Sequence, residues 1–222
     1  MAEERSDPPD PLITTFVLGE YQTNCQVVTT WAGSDCWIVD CGFEPEPMLD
    51  HIAEHALTPV AILLTHTHPD HIAGVDRALA RFGRLPLYVH RAEAGYCSDP
   101  MLNLSALMGQ PITVTEPDHL LEDGQTLDLG PTRWRVVHSP GHSPGGVLFV
   151  HDESRQAIVG DTLFAGSIGR IDFPSSDPEA FRRTIHEVVM SLPDDMTIYP
   201  GHGPRTTIGH ERTTNPFVIE GF

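Results

Sequence analysis

Residues 65–71 read THTHPDH, placing His66, His68, Asp70 and His71 within six positions. In an extended segment His66 and His68 project the same way, and a turn into a following helix swings Asp70 and His71 towards a neighbouring point. Two adjacent metals can share such a loop. Imidazole with carboxylate suits Zn²⁺, Fe or Mn²⁺, whereas an all-oxygen cage would suit Ca²⁺ or Mg²⁺. Three further candidates stand downstream, each just past an expected strand: His142 in SPGHSPGG, Asp161 after QAIVG, and His202 in YPGHGP. Singly, a histidine in a Gly/Pro turn or an aspartate capping one is more often structural. Their shared position at strand ends, where chemistry concentrates, joins them into one set. His51 and His55, four apart, could also chelate, but they lie beside the polar face of Asp50 and Glu54 and read as solvated helix surface.

The elements that must carry these loops are legible from hydrophobic period. Strands are expected at 12–18, 25–31, 36–40, 59–64, 85–90, 125–129, 133–138, 146–151, 156–160 and 196–199, separated by Gly, Pro, Asp and Ser. The continuous apolar run at 59–64 predicts an interior strand covered on both faces. Helical stripes run over 47–57, over 72–82 to Gly83, and from Asp177 and Pro178 through Phe181, Ile185, Val188 and Leu192 to Pro193. The stretch 98–110 is less regular and is placed to cover a pocket. Strands followed by a helix, twice over, predict an α/β fold of two sheets packed face to face with helices outside.

A chain of 222 residues fits one domain, 12–222, behind a flexible acidic tail at 1–11. The first ten residues, MAEERSDPPD, have no basic and apolar signal pattern, and no apolar run approaches a membrane span, so a cytoplasmic protein is expected. Thirteen basic residues, all arginine, stand against thirty-one acidic ones, for a net charge of −18. A nucleic-acid partner is disfavoured. Cys25, Cys36, Cys41 and Cys97 form no CxxC pair and should remain thiols.

Together THTHPDH, PGH, GDTLFAGSIGR and YPGHG resemble the metallo-β-lactamase superfamily. Within it the chain is similar to the glyoxalase II group, the hydroxyacylglutathione hydrolases, especially short bacterial members. The resemblance implies a four-layer αββα sandwich with two divalent cations at one edge of the paired sheets, Zn²⁺ foremost, with Fe or Mn²⁺ as alternatives. It assigns His66, His68 and His142 to a first metal, and Asp70, His71 and His202 to a second. Asp161 would bridge them, and Asp40 would orient ligands from behind. Cys41, where many relatives have proline, reads as a small buried residue, with an oxidation-sensitive thiol as the alternative.

The implied reaction is hydrolysis of a thioester such as S-(2-hydroxyacyl)glutathione, giving a hydroxy acid and a free thiol. Asp161 would position the nucleophile, while Asp70 would hold the second metal and accept a hydrogen bond from that nucleophile. Arg170 is a candidate for a substrate carboxylate, but a structural ion pair, with Asp172 as its partner, is the preferred reading. Full-length glyoxalase II enzymes hold glutathione with basic residues of a C-terminal extension, whereas only twenty residues follow His202, so a different small thiol stays open. Two divalent cations leave the net charge of −18 at −14, so an anionic substrate depends on local attraction at the metals. The main alternative is a mononuclear-iron persulfide dioxygenase, which typically reads YPAHDY where this chain reads YPGHGP; lactone hydrolysis uses nearly the same ligands. Absence of lysine disfavours β-lactam hydrolysis.

Overall fold

The computed structural model describes residues 10–30 and 33–222. Nine residues of the expected tail, 1–9, lie outside it, as does Trp31 at the end of the strand expected at 25–31.

Two six-stranded sheets face each other. The first contains β1 (Leu12–Leu18), β2 (Thr23–Thr29), β3 (Asp35–Val39), β4 (Thr58–Leu63), β5 (Leu87–His90) and β6 (His119–Leu121), in that spatial order. Its first three strands are antiparallel and the rest run parallel. The second sheet contains β7 (Thr126–Leu129), β8 (Thr132–His138), β9 (Val147–His151) and β10 (Gln156–Gly160). After a small hairpin of β11 (Leu163–Phe164) and β12 (Ser167–Ile168), β13 (Thr197–Pro200) joins it parallel to β10, and β14 (Thr206–Thr207) closes its edge.

Strand alternation sorts the apolar residues into three layers. Cys36, Ile38, Ile62, Leu64, Leu87 and Val89 face outward to α1 (Glu46–Glu54), α2 (Pro69–Ile72) and α3 (Val75–Phe82), burying Met48, Ile52, Ile72 and Val75. Between the sheets lie Trp37, Val39, Ala61, Leu63, Trp134, Val136, Phe149 and Ile158. On the far side Leu148, Val150, Ala157, Val159 and Ile198 pack on Phe181 of α4 (Pro178–Arg183), and on Ile208 of α5 (Ile208–Thr214). Helices, sheet, sheet and helices make a four-layer αββα sandwich. β4 sits inside its sheet with both faces apolar, which is why its sequence is a continuous run rather than an alternation.

The structure differs from the sequence expectation where tertiary contacts outweigh local pattern. β2 begins at Thr23 because residues 23 and 24 pair with Leu18 and Val17 across the hairpin. The helix expected from Pro178 to Leu192 keeps α-helical pitch only to Arg183, widens to a π-helical turn over Thr184–Val188 and tightens to a 3₁₀ turn over Val189–Ser191. This keeps Phe181, Ile185 and Val189 on the sheet. After α5, α6 (Pro216–Ile219) ends the chain's helices. Stretch 98–110 is a succession of turns that exposes Met101, Leu102, Leu107 and Met108.

Parallel pairing sends β3 and β4 out at one edge of the first sheet, and β10 and β13 out at one edge of the second. Strand C-termini are where open α/β sheets carry their sites. The two edges are joined there: Val147 N donates to Thr65 O at 2.9 Å and Asn24 N to Gly201 O at 2.7 Å.

Candidate metal centre

All seven predicted donors converge at this junction. His66 and His68 leave β4, Asp70 and His71 form the first turn of α2, His142 lies in the β8–β9 loop, Asp161 follows β10 and His202 follows β13. Three groups have donor atoms close enough to share a cation: His66, His68 and His142; Asp70, His71 and His202; and His66, His71 and Asp161.

The first set is held by its outer nitrogens. His142 Nδ1 donates to Arg170 O at 2.7 Å, and His66 Nδ1 lies 3.1 Å from Thr65 Oγ1, whose own proton goes to Asp40 Oδ2 at 2.7 Å. Both rings therefore present an unprotonated Nε2 to the interior. These face His68 Nδ1 at 3.1 and 2.9 Å. One His68 proton cannot serve two lone pairs, and His68 Nε2 is buried without a partner. Three converging nitrogens short of protons fit a cation.

The second set is carboxylate-rich. His71 Nδ1 donates to Asp40 Oδ2 at 2.8 Å, aiming Nε2 at Asp161 Oδ1 (3.3 Å) and Asp70 Oδ2 (3.5 Å). His202 Nε2 lies 3.2 Å from Asp70 Oδ2 and 3.5 Å from Asp161 Oδ2, which is also 3.6 Å from His142 Nε2. Asp161 thus stands between the sets. Its Oδ1 and His71 Nε2 are buried without hydrogen bonds, a second sign that the cluster suits cations. A Cβ at position 201 would sit 2.2 Å from Asp161 Oδ1, so the PGH turn passes the bridge only as glycine.

Electrostatics divide the sets. Burial, then His71 and His68, lowers the pKa of His66 well below the ordinary range; burial, then His142, pushes His68 down to about 3. These are neutral donors. For His71 burial works the other way from Asp70, Asp40 and Asp161, and the carboxylates win, raising it. His202 is likewise raised to about 9 against its burial by hydrogen bonds to Asp161 and Asp70. Burial would raise both aspartates, but His71 and His202 outweigh it, bringing Asp70 to about 2 and Asp161 well below its usual range.

Asp40 is buried at φ +59°, taking Thr65 N on Oδ1 and Thr65 Oγ1 with His71 Nδ1 on Oδ2. Cys41 is buried, and burial first, then Asp40, raises its thiol pKa strongly. A buried, protonated thiol fits the small-residue reading. Arg170 pairs through both ends of its guanidinium with Asp172 at 2.8 Å and lies over Phe173, so its contribution to the cluster is the carbonyl that fixes His142. The rings of His51 and His55 lie tilted against each other at 4.0 Å, and His55 Nδ1 donates to His51 O.

Several supports carry no local sequence signal. Thr23 Oγ1 donates to Asp70 Oδ2, and Asn24 Nδ2 ties down Pro200 O and Gly203 O around His202. Phe173 meets His68 and His142 edge-on, and Phe164 meets His202. A cavity of 760 Å³ lined by Tyr199, Arg205 and His210 contains none of the seven donors; donor chemistry, not cavity size, marks the site.

Beside the His142 loop, His138 Nε2 donates to Pro144 O and the ring stacks on His90 at 4.0 Å. Burial, then His138, pushes His90 down to about 4. In the unfolded chain His90 takes its proton near pH 6.5. Between that value and about 4 the unfolded state binds more protons, so stability falls as pH drops through this window. His90→Asn is expected to flatten melting temperature against pH there; an unchanged slope contradicts it.

A model described as the metallo-beta-lactamase superfamily matches residues 18–202. Among curated relatives, the probable metallo-hydrolase YqgX of Bacillus subtilis is 36% identical over 92% of this chain and 96% of its own length. Hydroxyacylglutathione hydrolase GloC of Haemophilus influenzae is 33% identical over 89% and 93% respectively. Of solved structures, BLEG-1, described as a B3 metallo-beta-lactamase, is 38% identical with TM-score 0.89, covering 94% of this chain and all of its own. TTHA1623 in a di-iron-bound form is 38% identical with TM-score 0.82, covering 92% and 99%.

Proposed function

Because the chain belongs to the metallo-β-lactamase superfamily, we propose that it is a two-metal hydrolase that cleaves the thioester of an S-(2-hydroxyacyl)glutathione or a similar thiol conjugate. The observation that carries this reading is the convergence of seven donors into two sets with Asp161 between them. The likeness to GloC supports the substrate class. His66, His68 and His142 would hold one cation, Asp70, His71 and His202 the other, and Asp161 both. Two divalent cations there supply an acidified water and a polarised carbonyl. Nitrogen and carboxylate donors accept zinc, iron or manganese, and the di-iron form of TTHA1623 keeps iron in view.

The chain's own residues do the positioning. Asp40 and Arg170 O fix the tautomers of His71 and His142, and Thr23 holds one oxygen of Asp70. Phe173 and Phe164 stand edge-on against the two sets. Every imidazole and carboxylate of the cluster is committed to a set or to a support, which leaves none of these groups free to protonate a departing amine. A thiol, with pKa about 8.5, leaves as thiolate without one. That favours a thioester over an amide.

A second reading, β-lactam cleavage, is favoured by the likeness to BLEG-1. It must contend with a leaving nitrogen that needs a proton, and with the absence of lysine to meet the drug's carboxylate.

The test is elemental analysis of anaerobically purified protein with three assays: S-lactoylglutathione hydrolysis, cleavage of a chromogenic cephalosporin, and O₂ uptake with glutathione persulfide. About two metals per chain, as two-metal sites require, with thioester cleavage is expected. One iron with oxygen consumption, or cephalosporin turnover without thioester turnover, overturns the proposal.

A further inference from the structure

Glu93 is a buried carboxylate that the proposed chemistry does not use. It ends the 3₁₀ turn after β5, is 0% exposed, and has no arginine or histidine partner among the described residues. Its charge is met by three donors: Thr67 N (2.8 Å) and Thr67 Oγ1 (2.7 Å) on Oε2, and Gly145 N (2.7 Å) on Oε1. Burying a carboxylate is costly unless such bonds satisfy it.

Both partners lie in loops that carry the first set. Thr67 stands between His66 and His68, and Gly145 three residues past His142. In the THTH segment side chains alternate, so the threonines point away from the centre as the histidines point in. Asp40 receives Thr65, and Glu93 receives Thr67. A Cβ at position 145 would lie 2.8 Å from Glu93 Cγ, so the His142 loop meets the carboxylate with no side chain intervening. One rigid group therefore spans the two segments whose imidazoles, His68 and His142, face each other at 2.9 Å.

We infer that Glu93 is a positioning residue: by clamping Thr67 to Gly145 it sets the spacing of the His66, His68 and His142 trio, and so that set's affinity for a divalent cation. This rests on the reading that the trio holds a cation, and not on what the enzyme hydrolyses.

The test is cobalt(II) titration of metal-free protein, followed by visible absorption. A His202→Ala background leaves only the first set whole, and a His68→Ala background only the second. Glu93→Gln turns an amide N–H towards Gly145 or Thr67, so the first-set Kd is expected to rise about 10- to 100-fold, with the second-set Kd within about threefold. An unchanged first-set Kd, or an equal rise at both sets, overturns the inference. Should Glu93→Gln fail to fold, Thr67→Val and Thr67→Ser decide: valine removes one donor and weakens the first set about tenfold, while serine restores it. Equal behaviour of that pair overturns the clamp. Wild-type cobalt binding without thioester cleavage sinks the proposed function alone; normal binding indifferent to Glu93 sinks this inference alone.

Discussion

Asp161→Ala is expected to lose both cations together, and thioester turnover with them. The carboxylate lies 3.3 Å from His71, 3.5 Å from His202 and 3.6 Å from His142, so its two oxygens address both sets. It also acts with Asp70 to raise His71 and His202 against their burial. A cation stabilises developing charge by several kcal/mol. At about 1.36 kcal/mol per decade of rate, losing that term lowers kcat/KM by about 10³-fold or more. His202→Ala separates the two effects, because it removes a ligand of the second set only. Elemental analysis should read near zero metals for Asp161→Ala and about one for His202→Ala, given a two-metal site in the parent. Two metals with near-parental turnover in Asp161→Ala would contradict the bridge.

The site is legible in the sequence because its donors fall at predictable places. A continuous apolar run marks β4 as interior, and the polar cluster directly after it must then emerge at a sheet edge. Asp161 and His202 follow two further strands that pair parallel and so emerge together. Such periodic signals are local, and local signals survive in a single sequence.

The features with no local signal depend on long-range contact. Glu93 sits in a short RAE turn that resembles any exposed loop, and its role arises only from partners 26 and 52 positions away. The threonines of THTH carried a legible clue, since alternation puts them opposite the histidines, but not the identity of the groups that receive them. α5 has a glycine at its second position and buries only Ile208 and Glu211, too little for a stripe. The side chain of Arg170 pairs with Asp172, as its sequence neighbourhood suggests, but its contact with the cluster runs through its backbone oxygen, which no side-chain pattern encodes.

Asp40→Ala should have the largest effect on stability of any single change behind the ligands. The aspartate is 0% exposed and receives Thr65 N at 2.7 Å, Thr65 Oγ1 at 2.7 Å and His71 Nδ1 at 2.8 Å. Alanine leaves all three donors buried without an acceptor, each costing about 1–3 kcal/mol when unrelieved. It must also adopt φ +59°, a left-handed conformation that aspartate and asparagine tolerate better than alanine. Partial relaxation brings the total to about 3–5 kcal/mol, the range found when one partner of a buried charged pair is removed. For a chain of this size that is about 10 °C in melting temperature. The measurement belongs on metal-free protein, where bound cations cannot mask the loss by mass action. Asp40→Asn keeps the backbone preference and one acceptor, so it should fall between the parent and alanine. His71 supplies the functional half of the test. Without an acceptor for Nδ1–H its tautomer is no longer fixed, and cation affinity at the Asp70, His71 and His202 set should drop about 10- to 100-fold. If the alanine variant melts within about 2 °C of the parent, less than 1 kcal/mol on the same scale, Asp40 is not the support that its three hydrogen bonds describe.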